Sequence, residues 1–145
     1  MKTESVLMSI RPVYVEQVLA GTKTVELRRV RPKISVGQVV LVYASSPVKA
    51  IVGWCTVGSI ECGAPDLLWP KVRRCAGVTR HEYRDYFEGA TVAAGIGLES
   101  ARRFEKAMTL QVIQSRWPAF RVPQSYRYLS ATLSSDGARL VAIDP

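Results

Sequence analysis

The residues best suited to chemistry lie in GTKTVELRR, residues 21–29, which joins a β-strand pattern to four charged side chains. Glu26 and Arg28 are two residues apart, so on a strand both side chains leave the same face. A carboxylate accepts hydrogen bonds from amino groups, and a guanidinium clamps phosphate or carbonyl oxygens. In open water such a pair contributes almost nothing, whereas in a cleft it offers an acceptor beside a donor fork. The spacing alone leaves both interpretations open.

Other polar side chains that could join such a cleft lie at the ends of neighbouring segments. Lys23, at the start of the strand, has a stem long enough to reach either face. YASSPVK (43–49) ends the next strong strand with two serines, and PQSYRYL (123–129) places polar groups that could hydrogen-bond a base edge. If the protein is an enzyme, Lys23 and Glu26 are the predicted catalytic residues. The predicted ligand-binding residues are Arg11, Lys23, Glu26, Arg28, Ser45, Ser46, Lys49, Gln124, Ser125 and Tyr126.

Basic residues dominate the charge of the 145-residue chain. Twenty Lys and Arg against 12 Asp and Glu give a net charge of +8, and 14 of the 20 are arginine. A guanidinium binds phosphate through two parallel N–H groups and stacks on bases, which an ammonium does not. The basic runs at 28–33 and 71–74 are either solvated or form a rim that tracks phosphates. The composition therefore favours a nucleic-acid partner, although charge alone is weak evidence.

Motifs of cofactor, metal and membrane proteins are missing from the sequence. It contains no GxGxxG, P-loop, HExxH or GxSxG pattern. Three cysteines without a CxxC pair and a single histidine argue for reduced thiols and against a structural zinc site. No apolar run approaches the roughly 18 residues that span a bilayer, and the N-terminus lacks the apolar core of a secretory signal. We expect a cytoplasmic protein with no cofactor, no metal and no membrane partner.

The order of hydrophobic patterns predicts one mixed α+β domain over residues 1–145. A helix is predicted over 12–20, a helical insertion over about 64–88, and a short helix after Pro123. The stretch 108–117 fits a strand or a helical turn. Five or six short strands punctuated by glycine fit a small curved sheet or barrel better than a doubly wound parallel sheet. The predicted strands are 6–10, 22–30, 39–45, 50–61, 90–104 and 139–144, with bend or bulge points at Gly53 and Gly58.

One long segment resembles a known family. LMSIRPVYVEQVLAGTKTVELRRVRP, followed by GQVVLVYASSPVKAIVGWCTVGSI, is similar to the ASCH domain family of the PUA-like superfamily. The family has a helix that ends in glycine and then GxKxxExR on the next strand, here Gly21, Lys23, Glu26 and Arg28. The match covers 6–61 and continues more loosely to PQSYRYL. The resemblance implies a small β-barrel with flanking helices, and a cleft between them lined by the motif residues.

The resemblance also favours the cleft interpretation of GTKTVELRR and implies a class of ligand. It implies an RNA-preferring nucleic-acid-binding domain, with a regulatory role as one option. The partner would be RNA, a nucleotide-like ligand or another single-stranded nucleic acid. A regulatory domain that works through protein contacts is a third interpretation, with no specific motif behind it.

The resemblance leaves a small hydrolase as the alternative. Some relatives hydrolyse N4-acetylcytidine nucleosides with the motif lysine and a threonine where this chain has Glu26, so only Lys23 carries over. Other relatives are similar to ribonucleases, which need a base for the 2′-hydroxyl and a group that stabilises phosphate charge. Glu26 or Lys23 would be the base and Arg28 the stabiliser. A closed pocket sized for one base would favour an enzyme, and an open basic groove a binding module.

Overall fold

A computed structural model gives the fold of residues 3–133 and 140–144, and the surroundings of side chains are described for residues 5–129. The described residues form strands and helices in the order β-α-β-β-β-α-α-β-α-β-β. The strands are β1 (Thr3–Ile10), β2 (Val25–Arg28), β3 (Val39–Ala44), β4 (Ala50–Gly63), β5 (Ala93–Thr109), β6 (Tyr126–Leu133) and β7 (Leu140–Asp144). The helices are α1 (Pro12–Ala20), α2 (Pro65–Val72), α3 (Arg80–Phe87) and α4 (Leu110–Arg116).

The seven strands of the described residues form one sheet in the order β2-β5-β4-β3-β1-β6-β7. Strands β1 and β3 are parallel, and the other neighbours are antiparallel. Strands β1 to β6 curl into a half-barrel with helices packed on it. This confirms the predicted α+β fold with a small barrel of five to six strands, and β7 extends the edge beside β6.

The curl originates in β4 and β5, which are 14 and 17 residues long. Their pairing shifts register at several places, the first between Ile51 and Gly53. Such bulges increase the local twist and bend the strand. A Cβ at Gly53 would lie 2.3 Å from the carbonyl oxygen of Arg102, so only glycine allows the two strands to approach this closely. The predicted bulge point at Gly53 is confirmed.

The centre of the sheet is buried on both faces. In β1, Val6 and Met8 face the core inside the half-barrel, whereas Leu7 faces a second core under α4. In β3, Val42 faces the core inside the half-barrel and Tyr43 faces the second core. Side chains alternate along a strand, so a strand covered on both sides is apolar throughout. This explains why VVLVYA is a continuous apolar run.

Helix α1 begins and ends where the sequence predicts. Pro12 occupies its first position, where a missing N–H costs nothing. Val15 and Val18 are buried against the sheet. Gly21 ends the helix with φ 82°, and its N–H donates to the carbonyls of Gln17 and Val18. Glycine adopts this left-handed conformation without a steric penalty. The chain therefore reverses sharply and enters β2.

The predicted insertion is confirmed as two helices, α2 and α3. Pro65 occupies the first position of α2, and Thr79 caps α3 in a capping box with Glu82. Tyr83 and Phe87 face inward, with ring centroids 4.6 Å apart, and pack with Leu68 against the edge of the sheet. None of the described helices is long and apolar enough to cross a bilayer.

The C-terminal third differs from the sequence-based prediction. The short helix predicted after Pro123 is wrong: β6 runs from Tyr126 to Leu133 and pairs with β1. Pairing with a distant strand overrides the local helical spacing of the apolar residues. The ambiguous stretch 108–117 is mostly helical, because β5 ends at Thr109 and the Thr109 side chain caps α4. The last predicted strand is confirmed as β7.

Candidate functional site

A cavity of about 980 Å³ lies between one end of the half-barrel and helices α1 and α3. We call it the motif cavity, because Lys23, Glu26 and Arg28 line it. The ends of β1 and β3 and the segment before β6 complete its wall. Eight of the ten predicted ligand-binding residues line this cavity: Arg11, Lys23, Glu26, Arg28, Ser45, Ser46, Lys49 and Gln124.

Ser125 and Tyr126 do not line the motif cavity. The Ser125 carbonyl accepts a hydrogen bond from the Ser9 N–H at 3.0 Å. The Tyr126 hydroxyl accepts one from the Lys33 N–H at 2.8 Å, and its ring packs against the core inside the half-barrel. Both residues are therefore engaged in attaching β6 to its neighbours.

Lys23 lies at the buried floor of the motif cavity. The turn after α1 points its side chain inward, where only 2% of it is exposed. Its Nζ donates to the Ala76 carbonyl, lies 3.6 Å from Glu26 Oε1 and sits 5.0 Å from the centroid of the Tyr14 ring. Burial lowers the pKa of Lys23 from its ordinary value, and the carboxylate of Glu26 opposes this effect. The side chain is thus held in one place rather than free to reach either face.

Glu26 and Arg28 lie on the same face of β2, as their spacing predicts. Arg28 Nη2 donates to Glu26 Oε2 at 3.2 Å and to the Ser9 carbonyl at 3.2 Å. Each carboxylate oxygen of Glu26 is therefore close to a different cation, Lys23 on one side and Arg28 on the other. The floor carries one negative and two positive groups in fixed positions. Such a floor can present donors to the carbonyl or phosphate oxygens of a ligand.

The rim of the motif cavity carries two exposed cations, Arg11 and Lys49. Arg11 precedes α1, and Lys49 ends the turn that follows β3. Lys49 has φ 52°, which is uncommon for a residue other than glycine. Its carbonyl accepts a hydrogen bond from the Leu110 N–H at 2.8 Å, which fixes the turn. Strained residues of this kind concentrate at functional sites.

Sequence reasoning missed several residues that line the motif cavity. Tyr14 and Tyr43 contribute from α1 and β3, and Glu82, Asp85 and Tyr86 contribute from α3. The aromatic rings of α3 pack on one another, Tyr83 and Tyr86 each against Phe87. Tyr86, on the other side of α3, donates its hydroxyl to the Leu27 carbonyl at 3.2 Å. Helical spacing was the signal that could have found the α3 residues. Asp85 and Tyr86 follow Glu82 by three and four residues, so the three side chains share one face of the helix.

Burial affects the tyrosines of the motif cavity. It raises the pKa of Tyr43 and of Tyr86, so both hydroxyls keep their protons to higher pH than a free tyrosine does. Among the residues with described side chains, no group of three or more His, Cys, Asp or Glu is arranged to hold a metal ion. The chemistry available in the described cavity is therefore that of ammonium, guanidinium, carboxylate and hydroxyl groups.

Comparisons with known proteins identify the family of the chain. The family model of the ASCH domain matches residues 8–118. The chain belongs to the ASCH domain family. An ASCH domain-containing ribonuclease of Zymomonas mobilis is 30% identical over 123 residues, which cover 85% of this chain and 82% of that protein.

Solved ASCH structures support the same assignment. The crystal structure of ASCH from Zymomonas mobilis is 30% identical, covers 86% of this chain and 87% of its own, and has a TM-score of 0.81. A single-substitution variant of that protein is 29% identical with the same TM-score, covering 86% and 89%. The curled half-barrel described above is thus the PUA-like fold of an ASCH domain.

Proposed function

We propose that this ASCH domain binds single-stranded RNA, with a base in the motif cavity and neighbouring phosphates on its rim. The observation that carries the proposal is the convergence of Arg11 and Lys49 at the mouth with Lys23, Glu26 and Arg28 at the floor. A cavity of about 980 Å³ is large enough for a nucleotide and its flanking phosphates. The name of the Zymomonas mobilis relative, a ribonuclease, supports RNA as the polymer.

The buried floor of the motif cavity, where Lys23 is 2% exposed, favours single strands over duplexes. Bases in a duplex are stacked and paired, so they cannot enter a recess without being extruded. An unpaired base can enter, while its phosphates stay at the exposed guanidinium and ammonium groups of Arg11 and Lys49. The net charge of +8 strengthens the attraction to any polyanion. We therefore expect single-stranded RNA to bind more tightly than duplex DNA at equal salt.

Removing the rim cations should lower the affinity for RNA and make that affinity less dependent on salt. In Arg11→Ala/Lys49→Ala, the slope of log affinity against log salt should become about 1.4 shallower, since each phosphate contact to a single strand contributes about 0.7. Fluorescence anisotropy of a labelled oligouridylate across roughly 50–200 mM salt measures this slope. Arg102→Ala/Lys106→Ala is the matched control, because it removes two exposed charges that line neither described cavity. Equal slopes in the parent and the rim variant would contradict the proposal.

Cleavage of the bound RNA is the second candidate function, favoured by the ribonuclease relative. Of the two predicted catalytic residues, Lys23 has its pKa lowered by burial, which is the direction a general base requires. Both oxygens of Glu26 are engaged by cations, which leaves this carboxylate poorly placed to accept a proton. Arg28 would stabilise charge on the phosphate. The N4-acetylcytidine alternative has Lys23 alone in its favour.

A cleavage assay separates binding from catalysis. The parent is expected to cut end-labelled single-stranded RNA, and Lys23→Met/Glu26→Gln to lose at least about 100-fold of that rate, the usual contribution of a general base. The rim cations remain in this variant, so the salt slope of its RNA binding should stay close to the parent's. Cleavage at the parental rate by the variant would place the reaction outside the motif cavity. Intact RNA with the parent would leave binding as the function.

A further inference from the structure

A second cavity, of about 490 Å³, lies between α2 and α3. We call it the arginine cavity, because Arg73, Arg80 and Arg84 line it. Trp69 also lines it, and Asp66 is the single acidic residue among its lining. The described lining therefore carries three positive charges against one negative charge. Neither the ASCH motif nor the function proposed above uses these residues.

The three guanidinium groups have no structural task among the residues whose side chains are described. None donates a hydrogen bond or forms an ion pair within that part of the chain. By contrast, Arg103 pairs with Glu16 at 2.7 Å, and Arg29 donates to the Tyr86 carbonyl at 3.0 Å. Side chains of Arg73, Arg80 and Arg84 are exposed yet converge on one recess. Like charges around one recess repel one another, and a bound anion reduces that repulsion.

The position of Arg80 adds to this argument. It is the first residue of α3, where the positive end of the helix dipole disfavours a cation. The helix forms nonetheless, because Thr79 and Glu82 make a complete capping box. A residue that opposes the local rule without a structural gain is typical of a functional site.

Helix α3 lies between the two cavities and contributes residues to both. Glu82, Asp85 and Tyr86 line the motif cavity on one side of it, whereas Arg80 and Arg84 line the arginine cavity on the other side. Tyr83 lines both. The width of an α-helix with its side chains is roughly 10–12 Å, which a few nucleotides of an extended strand can cross.

We propose that the arginine cavity binds phosphates of the same RNA strand whose base occupies the motif cavity. Guanidinium groups bind phosphodiester oxygens through two parallel N–H donors. Trp69, held 4.7 Å from the Tyr83 ring between centroids, offers an aromatic surface to a base beside these phosphates. The strand then crosses α3, with contacts on both sides of the helix. This inference rests on the RNA binding proposed above and extends its footprint.

The test compares a long and a short ligand. The probes are an oligouridylate of about 10 nucleotides, which is long enough to span both cavities, and uridine monophosphate, which can fill only one. Arg80→Ala/Arg84→Ala should flatten the salt slope for the oligouridylate by about 1.4. When salt rises from about 50 to 200 mM, the factor by which affinity falls should then be roughly seven times smaller for the variant than for the parent. Its affinity for uridine monophosphate should be unchanged.

Arg102→Ala/Lys106→Ala is again the control, because it removes the same charge from outside the described cavities. It should keep the parental slope, and circular dichroism should show that both double variants are folded. Suppose that the parent binds the oligouridylate and Arg80→Ala/Arg84→Ala keeps the parental slope. This result would overturn the proposal that the arginine cavity binds phosphates, and would leave RNA binding at the motif cavity intact. Equal losses in both double variants would do the same, because they indicate general attraction. A parent that binds neither probe would overturn the RNA function itself.

Discussion

Glutamine in place of Glu26 is expected to lower the free energy of unfolding by about 3–5 kcal/mol at pH 7, the usual cost of removing one partner of a buried ion pair. The substitution keeps the shape of the side chain but removes the negative charge that lies 3.6 Å from Lys23 Nζ. Lys23 is 2% exposed, so water cannot replace the carboxylate. Because Glu26 opposes the effect of burial on Lys23, the pKa of Lys23 should fall further in the variant. Urea denaturation at an unchanged m-value measures the loss.

A second substitution tests whether the unpaired charge causes this loss. In Lys23→Met/Glu26→Gln both buried charges are gone, and methionine fills most of the volume of the lysine stem. More than half of the lost stability should return, because the fully buried lysine cation is gone, while Arg28 is 15% exposed and still donates to the Ser9 carbonyl. The magnitude of the interaction free energy of this double-mutant cycle should therefore be at least about 2 kcal/mol. A double variant as unstable as the sum of the two single variants would show that packing, and not charge, sets the cost.

Alkaline pH is expected to destabilise the protein through Cys55. Burial, with a smaller contribution from Glu26, raises the pKa of the Cys55 thiol from 9.0 to about 12. Between these values the unfolded chain has lost the proton that the folded chain keeps, so stability falls as the pH rises. Below pH 9.0 both states hold the proton, and the contribution is fully present. The whole difference corresponds to about 4 kcal/mol.

The variant Cys55→Ala isolates this contribution, because the other titrating groups are common to both proteins. Among them Lys23 acts in the opposite direction: its pKa is lowered on folding, so its share of the stability rises up to pH 10.5. Between about pH 8 and pH 11 the parent should lose about 2–3 kcal/mol more than Cys55→Ala. Urea denaturation in the presence of a reductant measures both proteins. Parallel losses would mean that folding does not raise the pKa of Cys55.

The part of the fold predicted from sequence is the part that local rules determine. Helix α1 has a proline at its start and a left-handed glycine at its end, and both signals depend only on the residues themselves. Thr79 with Glu82 marks the start of α3 in the same way. Strand β3 is buried on both faces, so its continuous apolar run was visible. These elements needed no knowledge of their partners.

Strand β6 could not be predicted by these rules. Pro123 suits the start of a helix, and Tyr126 and Leu129 are three residues apart, which is also typical of a helix. Pairing with β1, more than 100 residues earlier in the chain, decides the conformation instead. Local patterns hold no information on such a partner.

In the candidate site too, features set by neighbouring residues were predictable, and features set by distant contacts were not. The proximity of Glu26 and Arg28 follows from two residues on one strand, and it was predicted. The burial of Lys23 depends on Ala76 and Tyr14, which approach it from the insertion and from α1. The contribution of Tyr86 depends on how α3 lies against β2. Contacts between elements far apart in sequence could not be derived from spacing.

Because β1 pairs with β6, one edge of β1 stays without its partner strand until late in the synthesis of the chain. Translation proceeds at roughly 5–20 residues per second, so roughly 6–25 s pass between synthesis of the first strand and of its partner. During this interval one edge of β1 has free N–H and C=O groups, which are a template for pairing with other chains. Gln124, which lines the motif cavity, directly precedes β6. The motif cavity is therefore completed only after nearly the whole described chain has been synthesised.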